Sequence, residues 1–393
     1  MTLHLENRKL TGKFWGDPLE GTLNRNMIEF IARDEQGNTA EFSGTINGGT
    51  ITGKVVETDA ANPNDKAENE VTATRPPERK TGPPQRYEFT PTVFYRQFSA
   101  SNKPVLKIAP GNTVHTTTVD AGGTDEHGVK RVLGGNPETG PFYVETAWPG
   151  DTLVVHLTRI RLNRDYAMSD DAIVGRAPDS DMSLKMKDGG KSVIWHLDRN
   201  RMIATSGSPG DYLQQFELPL HPMLGCVATA PGFGSAPPPT GDSGRWGGNM
   251  DFSEIVEGVT VYLPVNQPGA LLYVGDSHAA QGDGELNGNA LETSMEVEFT
   301  VDVLHDKSIR TPRVESDSDL MTVGLGGSLE DALRAATSGM SQWLEQDYGL
   351  TPSEIAQVLG TSAQFKISEV ADRNAGVAAK LSNARLHSLA KKQ

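Results

Sequence analysis

The densest chemistry in the chain lies in "LLYVGDSHAAQGDGELNG" (Leu271–Gly288), where an apolar run ends in Asp276, His278, Gln281, Asp283 and Glu285 among glycines. Asp276 and His278 are two apart, so on a continuing strand both side chains face one side and can share a cation. Asp283 and Glu285 repeat that spacing, and Gly282 and Gly284 allow the tight turn that would return them toward the first pair. Imidazole beside carboxylate suits zinc and related divalent ions, whereas a carboxylate-rich set suits calcium. Asp276, His278 and Asp283 are therefore read as metal ligands. An ordinary ion pair at a strand end would explain a lone Asp-x-His, but not five polar groups within ten residues.

Two other segments offer partners for this stretch. In "LPLHPMLGCVATAPG" His221 precedes a proline, and in "GDSGRWGGNMDFSEI" Asn249 and Asp251 follow a glycine pair; both read as site-forming loops. Asp120 closes a strand in "TVDAGGTDEHG", where an Asx turn is the equal alternative, and Glu145 sits beside aromatic residues in "GPFYVETAWPGD". Cys226, the single cysteine, rules out an intramolecular disulfide framework and a multi-cysteine zinc site. Its apolar run suggests a small buried hydrophobe. A thiolate nucleophile served by His221 is the competing role.

The elements that must position these groups are mostly strands. Forty-two glycines and twenty-four prolines in 393 residues point to short strands and tight turns. Residues 1–60 read as a small antiparallel β module, 61–87 as a proline-rich linker, 88–310 as a β core, and 311–393 as a helical segment that completes it. In the core one phrase recurs, as "VLKIAPGNTVHTTTVD", "YVETAWPGDTLVVHLTRI" and "YLPVNQPGALLYVGDS". Each is a strand, a Pro-Gly turn and a second strand, which suggests either a common hairpin or two similar jelly-roll-like β halves. Near the C-terminus, "SLEDALRAATSGMSQWLEQDYGL" has apolar residues at spacings of three and four behind a Ser328 cap. A second helix opens on Thr351-Pro352. The expected fold class is mainly β (α+β).

A net charge of −15 argues against nucleic acid as a partner, and no run approaches the ~20 apolar residues of a membrane span. The N-terminal residues do not form a basic segment followed by an apolar one, so a cytoplasmic protein is expected, or an exported one if a leader has been removed.

The segments "NPETGPFYVETAWPGDTLVVHL", "GRWGGNMDFSEI", "TVYLPVNQPGALLYVGDSHAAQGDGE" and "LEDALRAATSGMSQWLEQDYGLTPSEIAQVL" resemble, in content and order, the acetamidase/formamidase family. The resemblance covers roughly residues 90–385. It implies hydrolysis of short linear amides to a carboxylate and ammonia, bound zinc or calcium, and a homo-oligomer. The motif positions carried over are Asp120, Glu145, His221, Asn249, Asp251, Asp276, His278, Gln281, Asp283 and Glu285. On this reading the substrate is a small-molecule amide. Asp120, Asp251, Asp276, His278 and Asp283 hold the metal, zinc first and calcium second. Glu145 or Glu285 carries the proton, and Asn249, Gln281 and His221 bind substrate. A calcium-stabilised β-sandwich binding module without turnover, and an amidase using Cys226, are the alternatives. The loop "DAGGTDEHGVKRVLGGNPETG", the tract "GRAPDSDMSLKMKDGGKSVIWHLDRNRMIATSGSPG" and residues 1–85 depart from the family pattern.

Overall fold

A computed structural model describes the chain except residues 76–82, 187, 208, 209, 211, 233–235 and 390–393. It divides into two compact units, Met1–Glu78 and Arg79–Gln393.

The first unit is a seven-stranded antiparallel meander in sequential order, from Thr2–Glu6 to Lys66–Thr74. Strand Met27–Arg33 alternates strictly between exposed and buried residues, as a one-faced sheet requires. The buried face gathers Phe14, Phe30 and Phe42. The last strand corrects the proposed linker: Lys66–Thr74 pairs in full register with Thr50–Thr58. Its run "KAENEVTAT" reads as polar linker because it is an edge strand with charged residues along its exposed side, a common protection against edge-to-edge association. The linker is further shortened at its other end, where Arg86–Glu88 pairs with Thr113–Thr117.

The second unit is a sandwich of a twelve-stranded and a nine-stranded sheet. Apolar residues of both inner faces form one core, with Phe142 and Val274 from the first sheet and Val155 and Phe299 from the second. Phe142 and Phe299 meet edge to face at 5.3 Å between ring centroids, a favoured aromatic geometry. The three Pro-Gly phrases are not hairpins. In each, the flanking strands belong to different sheets: Leu106–Ile108 and Thr113–Thr117, Glu138–Val144 and Thr152–Leu162, Thr260–Pro264 and Leu272–His278. The turn therefore carries the chain across the core.

Helix Leu329–Tyr348 covers the nine-stranded sheet, burying Ala336, Met340, Trp343 and Leu344. Gly324 on the strand beneath permits this approach, since a Cβ there would lie 2.0 Å from the Ala332 carbonyl oxygen. The second helix, Pro352–Ser362, has the full Thr351–Glu354 capping box. The C-terminal region is not helical throughout. Strands Gln364–Glu369 and Ala375–Ser382 follow as an antiparallel pair, and the turn between them reaches the site described next.

Candidate active site

Strand Leu272–His278 is buried at every position and lies between Met223–Ala228 and the short strand Glu292–Thr293. Its pairing sets His278 opposite Glu292. The loop that follows docks on the C-terminal hairpin, where Gly284 N–H donates to the Ile367 carbonyl at 3.0 Å and Val370 N–H to the Gly284 carbonyl at 2.9 Å. That docking brings Glu285 toward Glu369. Asp251 (φ 43°), Asp276 (φ 47°) and Glu285 (φ 47°) all occupy the left-handed region, which costs a non-glycine residue on the order of 1 kcal/mol or more and persists only where the surroundings enforce it. Gly225 makes room for two of them: a Cβ there would lie 2.4 Å from both Asp251 Oδ1 and Asp276 Oδ2.

The result is a buried chain of carboxylates around one imidazole. Three groups, Asp251–Asp276–His278, His278–Glu285–Glu292 and Asp251–Glu369–Asp372, each present ligand atoms within 4.8 Å of one another. His278 Nε2 lies 3.2 Å from Asp276 Oδ2, 3.2 Å from Glu292 Oε1 and 4.0 Å from Asp251 Oδ1, yet makes no aligned hydrogen bond. Its other nitrogen, Nδ1, is 2.8 Å from Gln281 Oε1. The Gln281 amide nitrogen donates to the Asp251 and Ser368 carbonyls, so Oε1 must accept and Nδ1 must carry a proton. Nε2 is thereby turned toward the carboxylates, the arrangement by which outer partners orient a ligating histidine. Asn249 donates from Nδ2 to Asp251 Oδ2 and Asp372 Oδ2, both at 2.8 Å, and accepts from Asn136 at 3.0 Å.

The electrostatics follow from burial without compensation. Burial pushes Glu285 up to about 8 and Glu292 up to about 7, in each case against the opposing pull of His278. Burial and then Asp372 raise Glu369 to about 9, while burial raises Asp372 to about 6 against the hydrogen bond from Asn249. Burial alone would depress His278, but Glu292 and Asp276 outweigh it and hold the imidazole well above its usual value. Among the described residues, Asp251 Oδ1, Asp276 Oδ1, Glu292 Oε2, Glu369 Oε2 and His278 Nε2 have no hydrogen-bond partner. Buried polar atoms are seldom left this way, and mixed oxygen and nitrogen donors at this spacing fit a divalent cation.

Several residues read from the sequence lie elsewhere. Asp120, expected as a ligand, accepts from Arg164 at 2.7 Å in a buried ion pair. Asp283 is exposed, 3.3 Å from Lys366. Its spacing from Glu285 suggested convergence, but the turn at Gly284 sends one side chain inward and the other to solvent. His221 is exposed, and among the described residues its backbone alone is engaged, with N–H donating to the Ala279 carbonyl. Glu145 is half-buried in the turn after Glu138–Val144, beside Tyr143. Cys226 is fully buried, and burial followed by the charge of Glu138 pushes its thiol well up. Such a thiol is inert as a nucleophile. The sequence reading missed Glu292, Glu369 and Asp372. The available signal was acids flanking short strands in "NALETSMEVE" and "ISEVADRNAG", masked by the helical reading of the C-terminal region. It also missed Glu138, wholly buried with both carboxylate oxygens unpartnered and raised by burial and then by Asp276.

A family model described as the Acetamidase/Formamidase family matches residues 237–370, a span that includes Asn249, Asp251, Asp276, His278, Glu285, Glu292 and Glu369. Over that span the chain resembles the acetamidase/formamidase family. Solved structures extend the similarity over about three quarters of this chain. A predicted acetamidase/formamidase from the thermophile Thermoanaerobacter tengcongensis is 26% identical, with 78% of this chain and 99% of that one covered and a TM-score of 0.66. The acetamidase from Bacillus halodurans is 26% identical, covering 77% and 99%, with a TM-score of 0.65. The acetamidase from Yersinia enterocolitica is 25% identical, covering 78% and 94%, with a TM-score of 0.67. A curated candidate formamidase of Schizosaccharomyces pombe is 51% identical over 41 residues, a stretch spanning 10% of this chain and 10% of that relative.

Proposed function

We propose that this chain is a metal-dependent amidase that hydrolyses small linear amides at the His278 cluster. The observation that carries the reading is His278 Nε2, held by Gln281 toward Asp276 and Glu292 and left without an aligned partner. The residues that would hold the ion are Asp251, Asp276, His278 and Glu292, and Asp251, Glu369 and Asp372 offer a second set. Zinc suits the first set, with its imidazole, and calcium suits the all-oxygen second set. A divalent ion there supplies Lewis acidity, polarising an amide carbonyl and making water acidic near neutral pH.

The chain's own residues would then manage protons and orientation. Glu285, raised to about 8 by burial, is suited to take a proton from water as oxygen bonds to the carbonyl carbon, and to return it to nitrogen as the C–N bond breaks. The products are a carboxylate and ammonia. Asn136, which donates to Asn249 at 3.0 Å and lines the adjoining cavity, provides a neutral group to orient the amide. The test is ammonia release from formamide, acetamide and longer amides by the purified chain, before and after chelation and after readdition of zinc or calcium. Hydrolysis that chelation leaves intact would overturn the metal dependence. Tight calcium without any turnover would favour a binding module instead.

A further inference from the structure

Beside the cluster lies a cavity of about 580 Å³ whose wall includes Glu292. Glu292 is the member of the cluster that lines it, with a carboxylate oxygen 3.2 Å from His278 Nε2. The cavity's size is far beyond the needs of the smallest amides. Formamide occupies roughly two to three times the ~30 Å³ share of a water molecule, so it would leave most of the space unfilled. A ligand of several more atoms would fill it, since sites commonly bury most of what they bind.

The wall supplies a ruler and a charge. Met168 pairs with Glu292 across neighbouring strands. Tyr166, Met168 and Asp170 share one face of Tyr166–Asp170, alternating with the more buried Ala167 and Ser169. Asp170 therefore stands two residues beyond Glu292's neighbour, roughly 7 Å along the strand. Its carboxylate accepts from Asn289 at 2.6 Å and from Ser192 at 3.4 Å, and it has no ion pair among the described residues. None of the residues lining the cavity is Lys or Arg. Arg164, the buried cation nearby, is engaged by Asp120 and lies against the Tyr166 ring at 4.2 Å. Ser192 comes from the tract that departs from the family pattern, through a strand paired with Tyr166–Asp170. The near end of the cavity is thus marked by Glu292. The far end presents a negative charge and hydrogen-bond acceptors without a cation.

We infer that the amide this site turns over carries an amine-type cation at its far end, held by Asp170 about two extended residue lengths from Glu292, and that the inserted tract shapes this specificity. This rests on the amidase reading above. A carboxylate at the same place would face Asp170 and be rejected, because like charges brought together in a partly dry site repel strongly.

The experiment compares kcat/KM of the full chain, supplied with zinc, for formamide, hexanamide, 6-aminohexanamide and the monoamide of hexanedioic acid. The expected order places 6-aminohexanamide first, above hexanamide by about tenfold, the scale of one partly buried charge pair. Formamide and the anionic amide should come last. Asp170→Asn should collapse the ratio between the cationic and neutral amides. Ser192→Lys, at an exposed strand position opposite Asp170, should shift preference toward the anionic amide, and it guards against an Asp170 variant that fails to fold. Formamide as the best substrate, or a cation preference that survives Asp170→Asn, would overturn this inference while leaving the amidase reading standing. No ammonia from any of the four amides would sink both.

Discussion

Two sets of buried carboxylates in the second unit are treated in opposite ways. Asp120 faces Arg164 at 2.7 Å, with side chains 6% and 2% exposed, and the guanidinium makes further bonds to Thr293 and to backbone carbonyls. Glu254, which is half-buried, is likewise met by Lys366 and Lys380. The carboxylates around His278 are buried, Asp372 only partly, and among the described residues have only the imidazole as a cation to offset them. Burying an unpaired charge is costly enough that the group takes up a proton or a counter-ion. Acids whose cation is built into the chain are structural. On the proposed reading, acids whose cation is missing from the chain are placed to receive one, and the same place carries left-handed backbone at Asp251, Asp276 and Glu285.

The sharpest way to break this comparison is to remove the imidazole. His278→Ala should lower bound metal, measured by plasma emission, and depress amide hydrolysis by about three orders of magnitude. Full metal content with near-normal turnover would reduce the cluster to a polar strand end. The converse test is Arg164→Met, which strips a built-in cation. Breaking a buried pair from one side costs about 3–5 kcal/mol, so urea unfolding should show a loss on that scale, whether or not zinc is present. A loss that zinc reverses would mean Asp120 belongs to the metal site after all.

Between these lies the pH dependence of the metal-free protein. Glu285 and Glu292 have folded values near 8 and 7, above their ordinary 4.5. The folded state then binds more protons than the unfolded one between those values. Stability is full below about pH 4.5 and falls as the pH rises toward 8. Thermal melts of chelated protein should therefore drop over this window, and zinc should restore Tm most at its alkaline end. Saturation at a hundred times Kd would contribute about 2.7 kcal/mol. A flat profile would contradict the missing counter-charge.

The smallest effect belongs to the compensated side. His115 contacts Glu88 and, at 2.7 Å, Glu296. Burial would depress its imidazolium, but the two carboxylates outweigh this and raise its pKa above 6.5. Its stabilisation is present below that value and is lost as pH rises through the higher folded pKa. His115→Gln should lower Tm slightly at pH 5.5, and the difference should close by pH 9, with zinc having no influence.

Much of this arrangement was legible without coordinates. Glycine and proline turns between β-branched runs marked a mainly β chain, and Ser328 and Thr351 marked both long helices, because caps and turns are decided by neighbouring residues. Asp276, His278, Gln281 and Glu285 stood out because they fall within one short segment. The segment "KAENEVTAT" misled, since an edge strand that exposes its charges has the composition of a linker. The Pro-Gly phrases misled in another way: a local turn motif does not say whether the next strand pairs beside the last or crosses to the facing sheet.

What the sequence by itself determined, then, is everything that depends on neighbours along the chain: strand periodicity, capping, the central acid-histidine segment and the family it resembles. The tertiary structure decided which distant acids share a point in space. Glu292 joins through strand pairing with His278, and Glu369 and Asp372 join through a hairpin docked on Gly284. Asp120 and Asp283 were drawn away by Arg164 and Lys366. Whether an acid becomes a ligand or an ion-pair partner depends on which cation lies within about 4 Å of it. That distance is set by how the sheets close on each other, not by spacing along the chain.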